Sequence, residues 1–71
     1  MPWTEEEILE FIDQADEEIV IRGLKIIFPR GYSEKERRNK IRKVGMDSYK
    51  RVLRNHVDTL LGHCNEYNPK D

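Results

Sequence analysis

The most regular apolar pattern in the chain lies in its C-terminal third. Its members recur at alternating steps of three and one residues, the spacing that lines one face of an α-helix. They are Tyr49, Val52, Leu53, His56, Val57, Leu60, Leu61 and Cys64. Because Asp47 lies where an N-cap residue would, the pattern predicts a helix over residues 48–64. We expect this helix to form the centre of the core.

The N-terminal residues predict the start of another helix. Thr4 is followed three residues later by Glu7, which is the spacing of a capping box. Apolar residues then recur at helical intervals, so we place a helix at residues 5–15.

A second capping box is formed by Ser33 and Glu36. It predicts a third helix over residues 34–44. Gly45 follows, where a glycine would end the helix in a left-handed cap.

The segment between these two helices fits two structures. Its β-branched residues favour strands, and Arg22-Gly23 would suit a tight turn, which gives a hairpin at about 18–28. However, Glu18, Arg22 and Lys25 are spaced by four and three residues, which lines one polar face of a helix. We therefore predict a helix over 16–28, with the hairpin as the alternative.

The fold class that follows is all-α, a small four-helix domain with a helix-turn-helix-like C-terminal part. The alternative is α+β with the short hairpin. A chain of 71 residues has room for one domain, so we expect residues 1–71 to form a single core. The ends, 1–2 and 67–71, are expected to be loosely held.

Composition narrows the class of protein. A single cysteine excludes an internal disulfide, which small secreted domains usually have. No apolar run reaches the roughly 18–20 residues that span a bilayer, and the acidic N-terminus does not resemble a secretory signal. We therefore expect a cytoplasmic protein that does not bind membranes.

The chain also shows no pattern typical of an enzyme. There is no glycine-rich phosphate loop and no nucleophile–base pair in the sequence. His56, His63 and Cys64 are the soft metal ligands, and no fourth ligand follows at zinc-like spacing. We therefore expect no catalytic residues, no metal and no cofactor.

Charge is distributed very unevenly along the chain. Residues 1–20 contain eight acidic residues and no basic ones, whereas residues 21–54 contain twelve basic and three acidic ones. The formal net charge is nevertheless only −1. Such separation predicts a surface with a negative and a positive pole.

The positive segment is typical of nucleic-acid binding. Two helices joined by a turn containing Gly45 have the outline of a helix-turn-helix, whose first helix crosses the phosphate backbone while the second enters the major groove. The predicted phosphate contacts are Arg37, Arg38, Lys40, Arg42 and Lys43. The predicted groove-facing residues are Ser48, Lys50, Arg51 and Arg54. Duplex DNA is the preferred ligand, and one copy of so small a domain would bind weakly, which favours a homodimer.

Two other interpretations remain open. The cations could form a solvated face balanced by acids, because several of them lie four residues from an acid on the same helix. These pairs are Glu34 with Arg38, Glu36 with Lys40, Asp47 with Arg51, and Arg54 with Asp58. The acidic N-terminal helix could also neutralise the basic helix internally.

Alternatively, the chain is a non-enzymatic protein-interaction module, a small inhibitor or adaptor. Its partner-binding residues would then be Glu5, Glu6, Glu10, Asp13 and Glu17.

Overall fold

The computed structural model describes residues 1–31 and 33–69, and these contain helices and no strands. The helices are α1 (Glu5–Asp13), α2 (Glu17–Ile27), α3 (Glu34–Val44), α4 (Met46–Asn55) and α5 (Val57–Tyr67). The all-α prediction is confirmed for these residues, and the alternative hairpin at about 18–28 is wrong because α2 covers that segment.

Both predicted capping boxes are present. The Glu7 N–H donates to Thr4 Oγ1 at 3.2 Å, and the Thr4 N–H donates to the Glu7 carboxylate at 3.1 Å. Ser33 and Glu36 form the same reciprocal pair at the start of α3. These bonds satisfy backbone donors that have no partner within the first helical turn. Local sequence therefore determines where α1 and α3 begin.

The prediction of one helix over 48–64 is wrong, because the chain breaks at His56. The His56 N–H donates to the Leu53 carbonyl at 3.0 Å, which is a tighter turn than the α-helical bond to Val52 would make. The Val52 carbonyl instead lies 2.9 Å from His56 Nδ1, so the imidazole N–H takes the place of the backbone donor. The apolar spacing continues through this break, so periodicity alone does not reveal it. The chain therefore has five helices among the described residues, not four.

The turn after α3 also differs from the prediction. Gly45 has φ 107° and ψ 149°, a glycine-favoured conformation that is not the left-handed helical one. As a result α4 begins at Met46, and no side chain caps it, so Asp47 is not the N-cap. One residue separates the two helices instead of the three that the predicted bounds implied.

The core lies where four of the helices meet. α1 and α2 each pack against α4 and α5, and α3 packs against α2 and α4. The buried apolar side chains are Ile8, Ile12, Ala15, Val20, Ile21, Leu24, Ile41, Leu53 and Leu60. α3 contributes one of them, Ile41, so it lies at the edge of the domain.

The two ends of the chain are joined by hydrogen bonds. The Trp3 N–H donates to Asn65 Oδ1 at 2.6 Å, and the indole Nε1–H donates to the Asn68 carbonyl at 2.9 Å. Tyr67 is the last residue of α5 and Asn68 is its C-cap, although both fall in the segment expected to be loose. Residues 70 and 71 of that segment lie outside the described residues.

Candidate nucleic-acid interface

Arg37, one of the predicted phosphate contacts, is buried. Only 7% of its surface is exposed, and its guanidinium donates to the carbonyl of Phe28, the C-cap residue of α2. The last carbonyls of a helix have no partner within the helix and carry partial negative charge, so a cation there is favourable. A buried guanidinium is not presented to a phosphate. Arg37 therefore belongs to the support of the fold.

Arg38 lies among three carboxylates. Its guanidinium donates to Glu18 and to Glu34 and lies 3.6 Å from Glu17. The bonds to Glu34 and Glu18 raise the pKa of Arg38, so it stays fully charged. These contacts join α3 to the first turn of α2, where negative side chains are favoured by the helix dipole.

Glu34 is the carboxylate that joins this cluster to the other end of α2. Lys25 donates to it at 2.8 Å and Arg38 at 2.7 Å. The hydrogen bond from Lys25, followed by that from Arg38, lowers the pKa of Glu34 from 4.5 to about 2. The predicted Glu34–Arg38 pair is thus confirmed, as part of a larger network.

Lys50 and Arg54 lie against the C-terminal end of α1. Lys50 Nζ donates to the Asp13 carbonyl at 2.7 Å, and the Arg54 guanidinium is 3.9 Å from the Asp13 carboxylate. No basic residue lies in the last turn of α1, so Lys50 supplies the missing cation from another helix. Arg54 does not pair with Asp58 as its spacing suggested, because the break at His56 lies between them.

Arg42 is held only loosely. Its guanidinium is 3.5 Å from Glu17 Oε1, yet 68% of its side chain is exposed. The same Glu17 oxygen is shielded from solvent and accepts no hydrogen bond from the described residues, so the nearby charges of Arg42 and Arg38 stabilise it without direct hydrogen bonding.

The remaining predicted residues lie on the solvent side of α3 and α4. Lys40, Lys43, Ser48 and Arg51 are all exposed. Among the described residues, Lys43 and Arg51 take part in no ion pair, and the expected Asp47–Arg51 pair is not formed.

The cations thus fall into two groups. Inner cations, namely Arg37, Arg38 and Lys50, contact the ends of α1 and α2 and hold the helices together. The remaining predicted cations, which we group under the name outer basic face, are exposed; they are Lys40, Arg42, Lys43, Arg51 and Arg54, and Ser48 is exposed as well. The acids that form ion pairs with the predicted binding residues, within the described part of the chain, are Asp13, Glu17, Glu18 and Glu34.

The acidic residues divide in the same way. Asp13 and Glu17 form the ion pairs described above, whereas Glu5, Glu6 and Glu10 are exposed and form none within the described part of the chain.

Sequence reasoning missed the residues that support the interface. The contacts of Arg37 and Lys50 with helix C-termini were not foreseen, although α1 lacks a basic residue in its last turn. That lack is a signal that a cation is needed there, but it does not identify which one supplies it.

The described residues offer no group of three side chains able to hold a metal ion. Cys64 is half-buried, and burial raises the pKa of its thiol, which makes it less nucleophilic at neutral pH. His63 packs against the ring of Tyr67, with ring centroids 4.8 Å apart.

In the part of the chain that is described, every helix is too short or too polar to cross a bilayer. Comparison with protein-family models, curated proteins and solved structures found no match.

Proposed function

We propose that the chain is a small nucleic-acid-binding domain, with duplex DNA as the preferred ligand, that uses the outer basic face. The observation that supports this proposal is the distribution of pairing within the basic segment. Lys43 and Arg51 are exposed and form no ion pair with any described residue, and the nearest carboxylates lie 3.5 Å from Arg42 and 3.9 Å from Arg54.

The pair of Arg54 with Asp13 is exposed on both sides, and such pairs are worth about 0–1 kcal/mol, so a phosphate can replace the Asp13 carboxylate. Arg42 has 68% of its side chain exposed, so a phosphate can reach its guanidinium as well. Each cation that neutralises a phosphate releases condensed counterions, and this release drives binding that is largely independent of sequence. Ser48 and Arg51 lie on the exposed side of α4, where they could reach groups in a groove. The carboxylates elsewhere on the domain make the expected affinity low and strongly dependent on salt.

Fluorescence anisotropy with a labelled random-sequence duplex, measured at several salt concentrations, tests the proposal. Five phosphate contacts predict a slope of about −4 to −5 for log affinity against log salt. Lys43→Gln and Arg51→Gln should each make the slope shallower by about 1. Arg30→Gln is the matched control, because Arg30 is exposed and lies outside α3 and α4. Absence of binding at about 20 mM salt would overturn the proposal.

A second candidate is the protein-interaction module, and one observation favours it. Glu5, Glu6 and Glu10 are exposed on α1 and have no cationic partner within the described residues. A basic surface of a partner protein could therefore pair with these three carboxylates. If this function is correct, a partner captured from nuclease-treated lysate should be lost when all three are changed to Gln, and should still bind the Lys43→Gln variant.

A further inference from the structure

The break between α4 and α5 occurs where the local sequence favours a continuous helix. Residues 46–61 contain neither glycine nor proline, the residues that most often interrupt helices. The apolar spacing of three and one also continues from Tyr49 to Cys64 without a change of phase at the break. The break is therefore maintained by interactions with other parts of the structure.

The break leaves backbone groups without helical partners. His56 has φ −116° and ψ 28°, and α5 begins at the next residue without a side-chain cap. Among the described residues, the N–H groups of Val57, Asp58 and Thr59 donate to no backbone carbonyl. In a single helix over 46–67, each of these N–H groups would donate to a carbonyl of α4, four residues earlier. Joining α4 to α5 therefore forms backbone hydrogen bonds that the broken helix lacks.

Two contacts of the His56 side chain hold the break in place. Its Nδ1 lies 2.9 Å from the Val52 carbonyl, and its ring packs edge-on against Phe28, with ring centroids 5.3 Å apart. A further restraint is the core, because α5 packs against α1 and α2 and buries Leu60. A straightened helix would carry α5 away from α1 and α2 of its own chain, so these contacts oppose the joining of α4 and α5 in a monomer.

We infer that α5 can be exchanged between two copies of this chain: α4 and α5 join into one helix, and α5 of each copy packs against α1 and α2 of the other. Such a domain-swapped dimer recovers the burial of Leu60 and the hydrogen bond from Trp3 to Asn65, now formed between chains. α5 packs more extensively against α1 and α2 than against α4, so little contact is lost when α4 and α5 become collinear. Both chains also gain the backbone bonds that the break leaves unmade. This inference is independent of nucleic-acid binding.

Refolding of the wild-type chain at high concentration tests the exchange. α5 must leave its own chain before it can pack against another, so the dimer should form mainly when unfolded chains refold together. The protein is unfolded in urea and refolded over a range of concentrations up to about 1 mM. Size-exclusion chromatography with light scattering should show a dimer fraction that increases with the protein concentration during refolding.

Two substitutions of His56 distinguish the joining of helices from other causes of dimerisation. His56→Ala and His56→Gly both remove the contacts with Val52 and Phe28 that hold the break. Alanine favours a continuous helix and glycine disfavours it, and the difference counts twice in a dimer. His56→Ala should therefore raise the dimerisation constant by about 10-fold or more, and His56→Gly should dimerise about 10-fold more weakly than His56→Ala. Equal dimerisation by the two variants would contradict the joining of α4 and α5.

A distance within one chain identifies the joined helix directly. Spin labels are attached at Ser48→Cys and Glu66→Cys, two exposed positions in α4 and α5, in a Cys64→Ser background. In a continuous helix these positions lie on the same side, about 27 Å apart along the axis, and a bend at His56 shortens that distance. The labelled chain is diluted with unlabelled chain, so that the measured distance lies within one chain.

The dimers of the wild-type sequence and of His56→Ala should both show the longer distance. The wild-type measurement decides the question if circular dichroism shows that a variant does not fold. A wild-type chain that stays monomeric after refolding at about 1 mM, or a dimer that keeps the distance of the monomer, would overturn the inference.

Discussion

α2 and α3 are both eleven residues long and pack against each other, yet different kinds of interaction hold them in place. α2 buries Val20, Ile21 and Leu24 together with Gly23. α3 buries one apolar side chain, Ile41, and is otherwise fixed by Arg37 and by the cluster around Arg38.

This contrast shows how a chain with many charges can fold with a small core. Apolar burial stabilises α1, α2, α4 and α5, and cations of α3 then attach it to both ends of α2. The residues used in this way are no longer available for binding. The proposed nucleic-acid binding depends on the cations that remain exposed.

The largest effect should follow from a change in the buried face of α2. Ile21 is 1% exposed, so Ile21→Ala should lower the free energy of unfolding by about 2–5 kcal/mol through lost burial and an internal cavity. Urea denaturation measures this change. Val44→Ala on α3 is the control, because Val44 is 58% exposed and should change stability by less than about 0.5 kcal/mol.

Removing the buried cation of α3 should have an intermediate effect. Arg37→Met keeps much of the side-chain volume but leaves the Phe28 carbonyl without this donor, which should cost about 1–3 kcal/mol. Lys35→Met, at an exposed position of the same helix, should have little effect in the same urea titration. If the two variants are equally stable, Arg37 does not anchor α3.

A pair of glycines tests how closely α2 packs. Gly62 lies in α5, and a methyl group placed there would meet no described neighbour within 4 Å beyond its own helix backbone, so Gly62→Ala should stabilise the protein by about 0.5–1 kcal/mol. A Cβ at Gly23 would lie 2.9 Å from Leu53 Cδ2, and Leu53 is buried, so Gly23→Ala should gain less or destabilise. Thermal unfolding of both variants gives the comparison, and equal stabilisation would show that α2 does not require glycine there.

The smallest change in stability should come from Glu34, as a dependence of the melting temperature on acidic pH. Its pKa is lowered from 4.5 to about 2 in the folded protein, so its contribution is fully present above pH 4.5 and is lost as the pH falls towards 2. Melting temperatures measured from about pH 2 to pH 5 should decline less steeply for Glu34→Gln than for the wild type. Added salt should also reduce the contribution, since the cluster is exposed.

Much of the fold is encoded locally and could be predicted. The capping boxes of Thr4 and Ser33 fix two helix starts through bonds within one turn, and the polar spacing of Glu18, Arg22 and Lys25 correctly favoured helix. The break at His56 could not be predicted, because it depends on a side-chain bond to Val52 and on packing against Phe28 from another part of the chain.

The candidate site was predictable only in part. Residue type and spacing indicate that a helix is basic, but not which of its cations will contact other helices of the same domain. The sequence analysis assigned Arg37 and Lys43 the same role as phosphate contacts, but Arg37 faces the end of α2 while Lys43 faces solvent. That distinction depends on how α3 is rotated against α2, which is a tertiary property.

The most direct test of the account compares the salt dependence of duplex binding for two variants of α3. Arg38→Gln removes an inner cation that contacts three carboxylates, and Lys43→Gln removes an outer one that pairs with no carboxylate of the described residues. We predict a slope shallower by about 1 for Lys43→Gln and an unchanged slope for Arg38→Gln. Equal changes in slope for the two variants, or no binding by the wild type at low salt, would contradict the division into inner and outer cations on which the proposed function depends.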